Sequence, residues 1–182
     1  MSSLDTGVTV WFTGLPSAGK TTMAQALAKR LADEGYARVE LLDGDIARTH
    51  LTKGLGFSAE DRAENVRRIG WVASLLARNG VIVLASVISP HRAVRDEVRT
   101  LHEGRFVEVH VATPVEVCSE RDVKGLYAKQ RAGTLTGLTG VDDPYEAPLN
   151  AEITVHTQDQ TIDASVEQVW DALLPLRTRT SR

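Results

Sequence analysis

Hydrophobic residues along the chain alternate between two patterns: short, nearly unbroken runs, and longer stretches in which apolar positions recur three and four residues apart. The runs at 8–12, 39–42, 81–85, 106–111 and 152–156 predict strands, and their continuity is that of parallel strands covered on both faces. The periodic stretches predict helices over 20–34, 46–51, 58–78 and 165–174. Met23, Ala24, Leu27, Ala28 and Leu31 form the stripe of the first, and Val66, Ile69, Val72, Ala73 and Leu76 that of the longest. Gly35 and Gly80 close two of these helices. Ser58, with Asp61 three residues on, reads as a capping box. Ser89-Pro90 reads as an N-cap followed by proline at the first helical position, opening a helix to His102, and Pro114 opens a short helix to Arg121.

Strand–helix alternation predicts a three-layer α/β sandwich, a mostly parallel sheet of about five strands with helices on both faces and right-handed crossovers. The 182 residues carry no internal repeat and no long linker, so a single domain over 1–182 is expected, with a frayed polar tail at 176–182. Residues 124–148 break the rhythm. Gly125, Gly133, Gly137, Gly140, Pro144 and Pro148 punctuate them, and Lys124, Lys129 and Arg131 charge their first half. Such a segment beside a ligand site reads as a lid.

The chemistry starts behind the first strand. Gly14-Leu15-Pro16-Ser17-Ala18-Gly19-Lys20-Thr21 matches G-x-x-x-x-G-K-[ST], whose backbone N–H groups wrap a phosphate chain. The site extends through Thr22. Lys20 supplies charge for the outer phosphates, Thr21 a hydroxyl for Mg²⁺, and the N-terminus of the following helix adds its partial positive charge. ATP and Mg²⁺ are therefore the expected ligands. A guanine-reading N-K-x-D is absent, which sets GTP switching aside. The third strand also lacks a terminal aspartate, since Ser86-Val87 follow Ala85, so the carboxylate near the metal must come from Asp43 or Asp45. Asp45 can hold a metal-bound water or take a proton from an incoming hydroxyl, and can also cap the helix at Ile46.

Arg62 and Asn65 share a face at the start of the long helix. A hydrophobic staple would pair Phe57 with an apolar residue at 62, but Arg stands there, leaving Phe57 to meet a flat ligand base. Arg48 and Arg62 suit bidentate capture of an oxyanion, whereas one of Arg67 and Arg68 belongs to a solvated face.

Composition narrows the class. With 21 Lys and Arg against 24 Asp and Glu, the net charge of −3 argues against a nucleic-acid binder. The lone Cys118 points to a reducing compartment. The first residues lack the basic start and apolar core of a signal peptide, and no run approaches the ~20 apolar residues of a membrane span. A cytoplasmic enzyme with no membrane partner is expected.

The chain resembles the adenylylsulfate kinases in several blocks. These are Gly14–Thr22, Leu42–Asp45, Leu55–Ser58, Asp61–Arg68, Ile88–Arg92, Arg121–Tyr127 and Thr139–Glu146. The resemblance implies a transferase of sulfate assimilation that moves a phosphoryl group from ATP to the 3′-hydroxyl of adenosine 5′-phosphosulfate (APS). It implies APS held by Asp43, Asp45, Arg48, Phe57, Arg62, Asn65, Ile88, Ser89 and Lys124, with the adenine between Phe57 and the position of Leu138. The family usually carries Phe where Leu138 stands, and Asn where Ile46 stands. Ser89 matches a residue assigned as a phosphoserine intermediate in family members, although direct in-line transfer needs no covalent step. A homodimer and an ATP sulfurylase partner from a separate chain follow from the resemblance alone. Two alternatives stay open: a related P-loop kinase with a shifted hydroxyl acceptor, and a non-catalytic nucleotide-binding partner of ATP sulfurylase.

Overall fold

The computed structural model describes residues 7–178. Strands β1 (Val8–Thr13), β2 (Val39–Asp43), β3 (Ile82–Ser86), β4 (Phe106–Val111) and β5 (Ile153–Val155) form one sheet in the order β2-β3-β1-β4-β5, with every neighbouring pair parallel. Helices α1 (Lys20–Asp33), α2 (Gly44–Thr49), α3 (Ala59–Arg78), α4 (Arg92–Thr100), α5 (Val115–Arg121), α6 (Leu126–Arg131) and α7 (Ile162–Thr178) make up the rest.

Side-chain alternation along β1 builds the three layers. Val8, Val10 and Phe12 point to one face, where they meet Leu27 and Leu31 of α1 and Val169 and Leu173 of α7. Trp11 points the other way, to Val66 and Ile69 of α3 and Val94 and Val98 of α4. Each such side chain contributes about 1.5–3 kcal/mol by leaving water. Because β1 has covered faces on both sides, truncating Trp11 or Leu27 to Ala is expected to cost about 2–5 kcal/mol.

The chain leaves β1 toward β2 on one side and reaches β4 on the other, so the crevice beyond the carboxyl end of β1 is the switch point where open α/β sheets bind ligands. The P-loop lies there. Register sets Phe12, Ser86 and Asp43 side by side at the same sheet edge.

Four expectations are corrected. Ser89 does not cap a helix: α4 begins at Arg92 behind His91, and Ser89 holds a positive φ of 42° with its side chain buried. The capping box is half formed: Ser58 accepts from the Asp61 amide, but the Asp61 carboxylate turns to the Gly56 amide. The cap of α2 is Asp43 rather than Asp45. The last helix is also longer than predicted, so 176–178 belong to α7, and the remainder of the expected tail lies outside the described residues.

Residues 124–148 are firmly seated. Asp122 accepts from the amides of Tyr127 and Ala128, starting α6, and the Tyr127 hydroxyl donates to the Pro16 carbonyl of the P-loop at 3.0 Å. Further on, the amides of Val141, Asp142 and Asp143 converge on the Leu138 carbonyl. Gly140 (φ +89°) runs so close to the P-loop that a Cβ there would lie 2.4 Å from Leu15. Behind the P-loop, Cys118 is fully buried and its thiol pKa is pushed up by that burial.

Candidate active site

The P-loop backbone is bent in a way that needs its glycines. Gly19 adopts φ 108°, and a Cβ at Gly14 would meet the Val111 carbonyl at 2.6 Å. The first amides of α1 therefore open into the cleft without intrahelical partners. Lys20, 8% exposed, rests its ammonium on the loop itself, donating to the carbonyls of Gly14 (3.0 Å) and Leu15 (2.7 Å). Burial pulls its pKa from 10.5 to about 8, and the charge of Lys124 acts in the same direction.

The acidic pair divides its work. Asp43 Oδ2 accepts from Thr21 Oγ1 (2.8 Å) and Ser86 Oγ (2.9 Å), while Oδ1 caps the Asp45 amide (2.9 Å). Burial pushes the Asp43 carboxyl up, but these hydrogen bonds outweigh it and hold the pKa below the usual carboxylate range. Asp45 is exposed and forms an ion pair with Lys124 across the cleft mouth. Thr21, Asp43 and Ser86 thus offer hard oxygen donors beside the phosphate loop, a set that fits Mg²⁺, which keeps several of its waters. Among the described residues no cluster of three or more His, Cys, Asp or Glu could serve as a separate metal site.

Across the cleft, α3 and the loop before it build a cationic wall. Phe57 is 66% exposed, with the Arg48 guanidinium 4.4 Å and the Arg62 guanidinium 5.8 Å from its ring centroid. In place of the staple that Arg62 rules out, Phe57 carries this cation–π contact. Burial, and then the like charge of Arg62, pull the Arg48 pKa below its usual value, so an incoming anion would relieve both groups. Arg62 also spans the gap to the 137–143 loop, donating to Phe57 O, Gly137 O and Thr139 Oγ1 and pairing with Asp143. Asn65 is buried and receives Thr52 Oγ1 on its amide oxygen at 2.7 Å. Both Arg67 and Arg68 lie off the site, paired with Glu97 and Glu64.

These walls enclose one cleft of about 910 Å³, large for a single small ligand. Asp43, Asp45, Arg48, Phe57, Arg62, Asn65, Ile88, Ser89, Lys124 and Leu138 all line it, as do Pro16, Ser17, Gly19, Lys20, Thr21 and Thr22. Gly14, Leu15 and Ala18 shape the loop from behind. Leu138 is only 5% exposed and belongs to the apolar core cluster, whereas Ile46 is 62% exposed. Sequence reasoning puts Ser86 at the ligand edge by position but gives it no role, since its hydrogen bond to Asp43 follows from the β2–β3 register. It missed the wall beside Gly19, where Arg121 donates to Thr157 Oγ1 (2.8 Å) and to its carbonyl (3.1 Å).

Fold and site together define a P-loop kinase for a small acceptor: a phosphate cradle, a metal-ready oxygen cluster and a cationic, aromatic-bearing wall share one cleft. The chain belongs to the adenylylsulphate kinase family, whose model matches residues 6–156. It is 61% identical to the adenylyl-sulfate kinase of Rippkaea orientalis over 92% of this chain and 91% of that one. It is 57% identical to a probable adenylyl-sulfate kinase of Synechocystis, over 94% and 96% respectively. Among solved structures, the Mycobacterium tuberculosis APS kinase CysC in complex with AMPPNP and APS superposes with a TM-score of 0.87 at 44% identity, covering 92% of this chain and 97% of that one.

Proposed function

We propose that this chain catalyses ATP-dependent phosphorylation of APS on its 3′-hydroxyl, giving 3′-phosphoadenosine 5′-phosphosulfate and ADP. The observation that carries this reading is the sharing of one cleft by the P-loop and the Arg48–Phe57–Arg62 wall. Phe57 offers a face to an adenine, and Arg48, which has no ion-pair partner among the described residues, offers its charge to the phosphosulfate beside Arg62. The P-loop takes the donor phosphates. Asp45 orients the 3′-hydroxyl and accepts its proton while the hydroxyl oxygen bonds to the γ-phosphorus and the bond to the ADP oxygen breaks. Lys20 moves from its carbonyl perches to the transferring phosphoryl oxygens, and Lys124 closes over the mouth, excluding water that would otherwise take the phosphate.

Thr21, Asp43 and Ser86 would hold Mg²⁺, which when bound neutralises charge on the outer phosphates. The buried, hydrogen-bonded Ser89 hydroxyl is placed to hold structure, and the transfer above proceeds directly between the two ligands. The acceptor implies an upstream adenylyl transfer to sulfate, so an ATP sulfurylase supplies the substrate. The single cysteine supports a reducing, cytoplasmic setting, and the resemblance supports a homodimer.

A coupled ADP-release assay comparing APS with adenosine 5′-monophosphate and small alcohols tests this reading. Turnover with APS and its loss in Lys20→Ala are expected, whereas preference for another acceptor would replace APS in the reading. Exposed Ile46 and buried Leu138, where the family usually has Asn and Phe, are the positions such a shift would implicate.

A further inference from the structure

Beneath the acceptor half of the cleft lies a buried hydroxyl cluster that the transfer step does not use. Thr13, the last residue of β1, is fully buried and donates its single hydroxyl proton to the Ile88 carbonyl at 2.8 Å. With that proton spent, Thr13 Oγ1 is the acceptor for Tyr145 Oη and Ser89 Oγ, both at 3.0 Å, the Ser89 proton being shared with the Val87 carbonyl at 3.2 Å. Ser89 Oγ in turn accepts from Trp11 Nε1 at 3.1 Å. The backbone above is held in an unfavourable form, φ +42° at Ser89, and the buried Arg95 braces it by donating to the Ser89 carbonyl and to the Glu146 carbonyl, both at 2.6 Å. Three segments therefore meet at one oxygen: the strand that feeds Gly14, the Ile88–Ser89 turn lining the cleft, and Tyr145 at the far end of the 124–148 segment.

We infer that Thr13 is a positioning residue for acceptor binding, its hydroxyl locking the Ile88–Ser89 turn to the end of the lid segment. The inference rests on the APS kinase reading for its substrate, but the joint itself is a property of this fold. Thr13→Val keeps the volume but removes the donor to the Ile88 carbonyl and the oxygen shared by Ser89 and Tyr145, leaving Ser89 Oγ only its 3.2 Å contact to the Val87 carbonyl as an acceptor. Tyr145→Phe removes one arm only and serves if Thr13→Val does not fold.

The test is steady-state kinetics with ATP and APS on the wild-type chain, Thr13→Val, Thr13→Ser and Tyr145→Phe, together with amide hydrogen exchange across 86–90. In Thr13→Val, KM for APS should rise about tenfold while KM for ATP stays within about twofold, and Thr13→Ser should restore it. Tyr145→Phe should show the same change in smaller degree, and exchange at 87–89 should quicken in both. Wild-type KM for APS in Thr13→Val, or equal rises for ATP and APS, overturns the inference. If the wild-type chain does not phosphorylate APS, the functional reading fails instead. The exchange data then decide the joint, and unchanged protection in both variants overturns it.

Discussion

Lys124 forms an ion pair with Asp45 across the mouth of the cleft, joining the start of the 124–148 segment to a residue just beyond the β2 carboxyl end. In the proposed reaction Asp45 receives a hydroxyl proton, which requires this pair to part, so acceptor binding would be tied to movement of Lys124. Both side chains are more than half exposed, and such pairs contribute little to stability. Lys124→Ala should leave the melting temperature within about 2 °C of wild type while lowering kcat about tenfold or more. Asp45→Asn should lower kcat by about 10²–10⁴ with nucleotide binding intact. Differential scanning fluorimetry and the coupled assay check both.

In the proposed reaction Asp43 would serve the metal. Its carboxylate is fixed by Thr21 and Ser86, so Asp43→Ala should weaken ADP binding in the presence of Mg²⁺ and leave metal-free ADP binding unchanged. Calorimetric titrations with and without Mg²⁺ separate the two, and equal weakening in both would reject the assignment.

Lys20 makes ligand binding pH-dependent. In the ligand-free protein its pKa is about 8, against 10.5 for an unperturbed lysine. Between those values the unfolded chain holds a proton that the folded chain has lost, so stability should rise as pH increases from 8 toward 10.5, and the burial penalty is fully felt below 8. A bound triphosphate restores the charge. Nucleotide binding at pH 8–9 should therefore take up protons, seen as a dependence of the calorimetric enthalpy on buffer ionisation heat. Lys20→Met should abolish that dependence.

Arg62 bridges to the 137–143 loop besides lining the cleft. Its planar fork reaches Gly137 O, Thr139 and Asp143 at once, which a lysine cannot reproduce. Arg62→Lys should therefore raise KM for APS about tenfold or more and speed hydrogen exchange across 137–143. If exchange there stayed at the wild-type rate, the bridging role would be lost.

The parts legible in the sequence are those whose cause is local. The run before Gly14, the spacing of Gly19-Lys20-Thr21 and the stripe of α3 each carry their own periodicity or turn requirement. The pairing of Asp43 with Ser86 was hidden because it depends on strands that lie far apart in the chain being laid in register. Ser89-Pro90 misled for the opposite reason. Its local grammar is that of a helix start, but Trp11, Thr13 and Arg95 claim the residue from other elements and push α4 forward to Arg92. Arg62 does line the cleft, while its hold on the 137–143 loop depends on a contact that no spacing announces.

Cys118 gives the molecule a built-in clock. As the chain's sole thiol, sealed behind the phosphate loop and beneath the α6 anchor, it is reachable by a disulfide reagent only when that region breathes. Its rate of labelling is a direct count of openings, and occupancy of the loop by nucleotide should slow it in proportion to the stability the ligand lends.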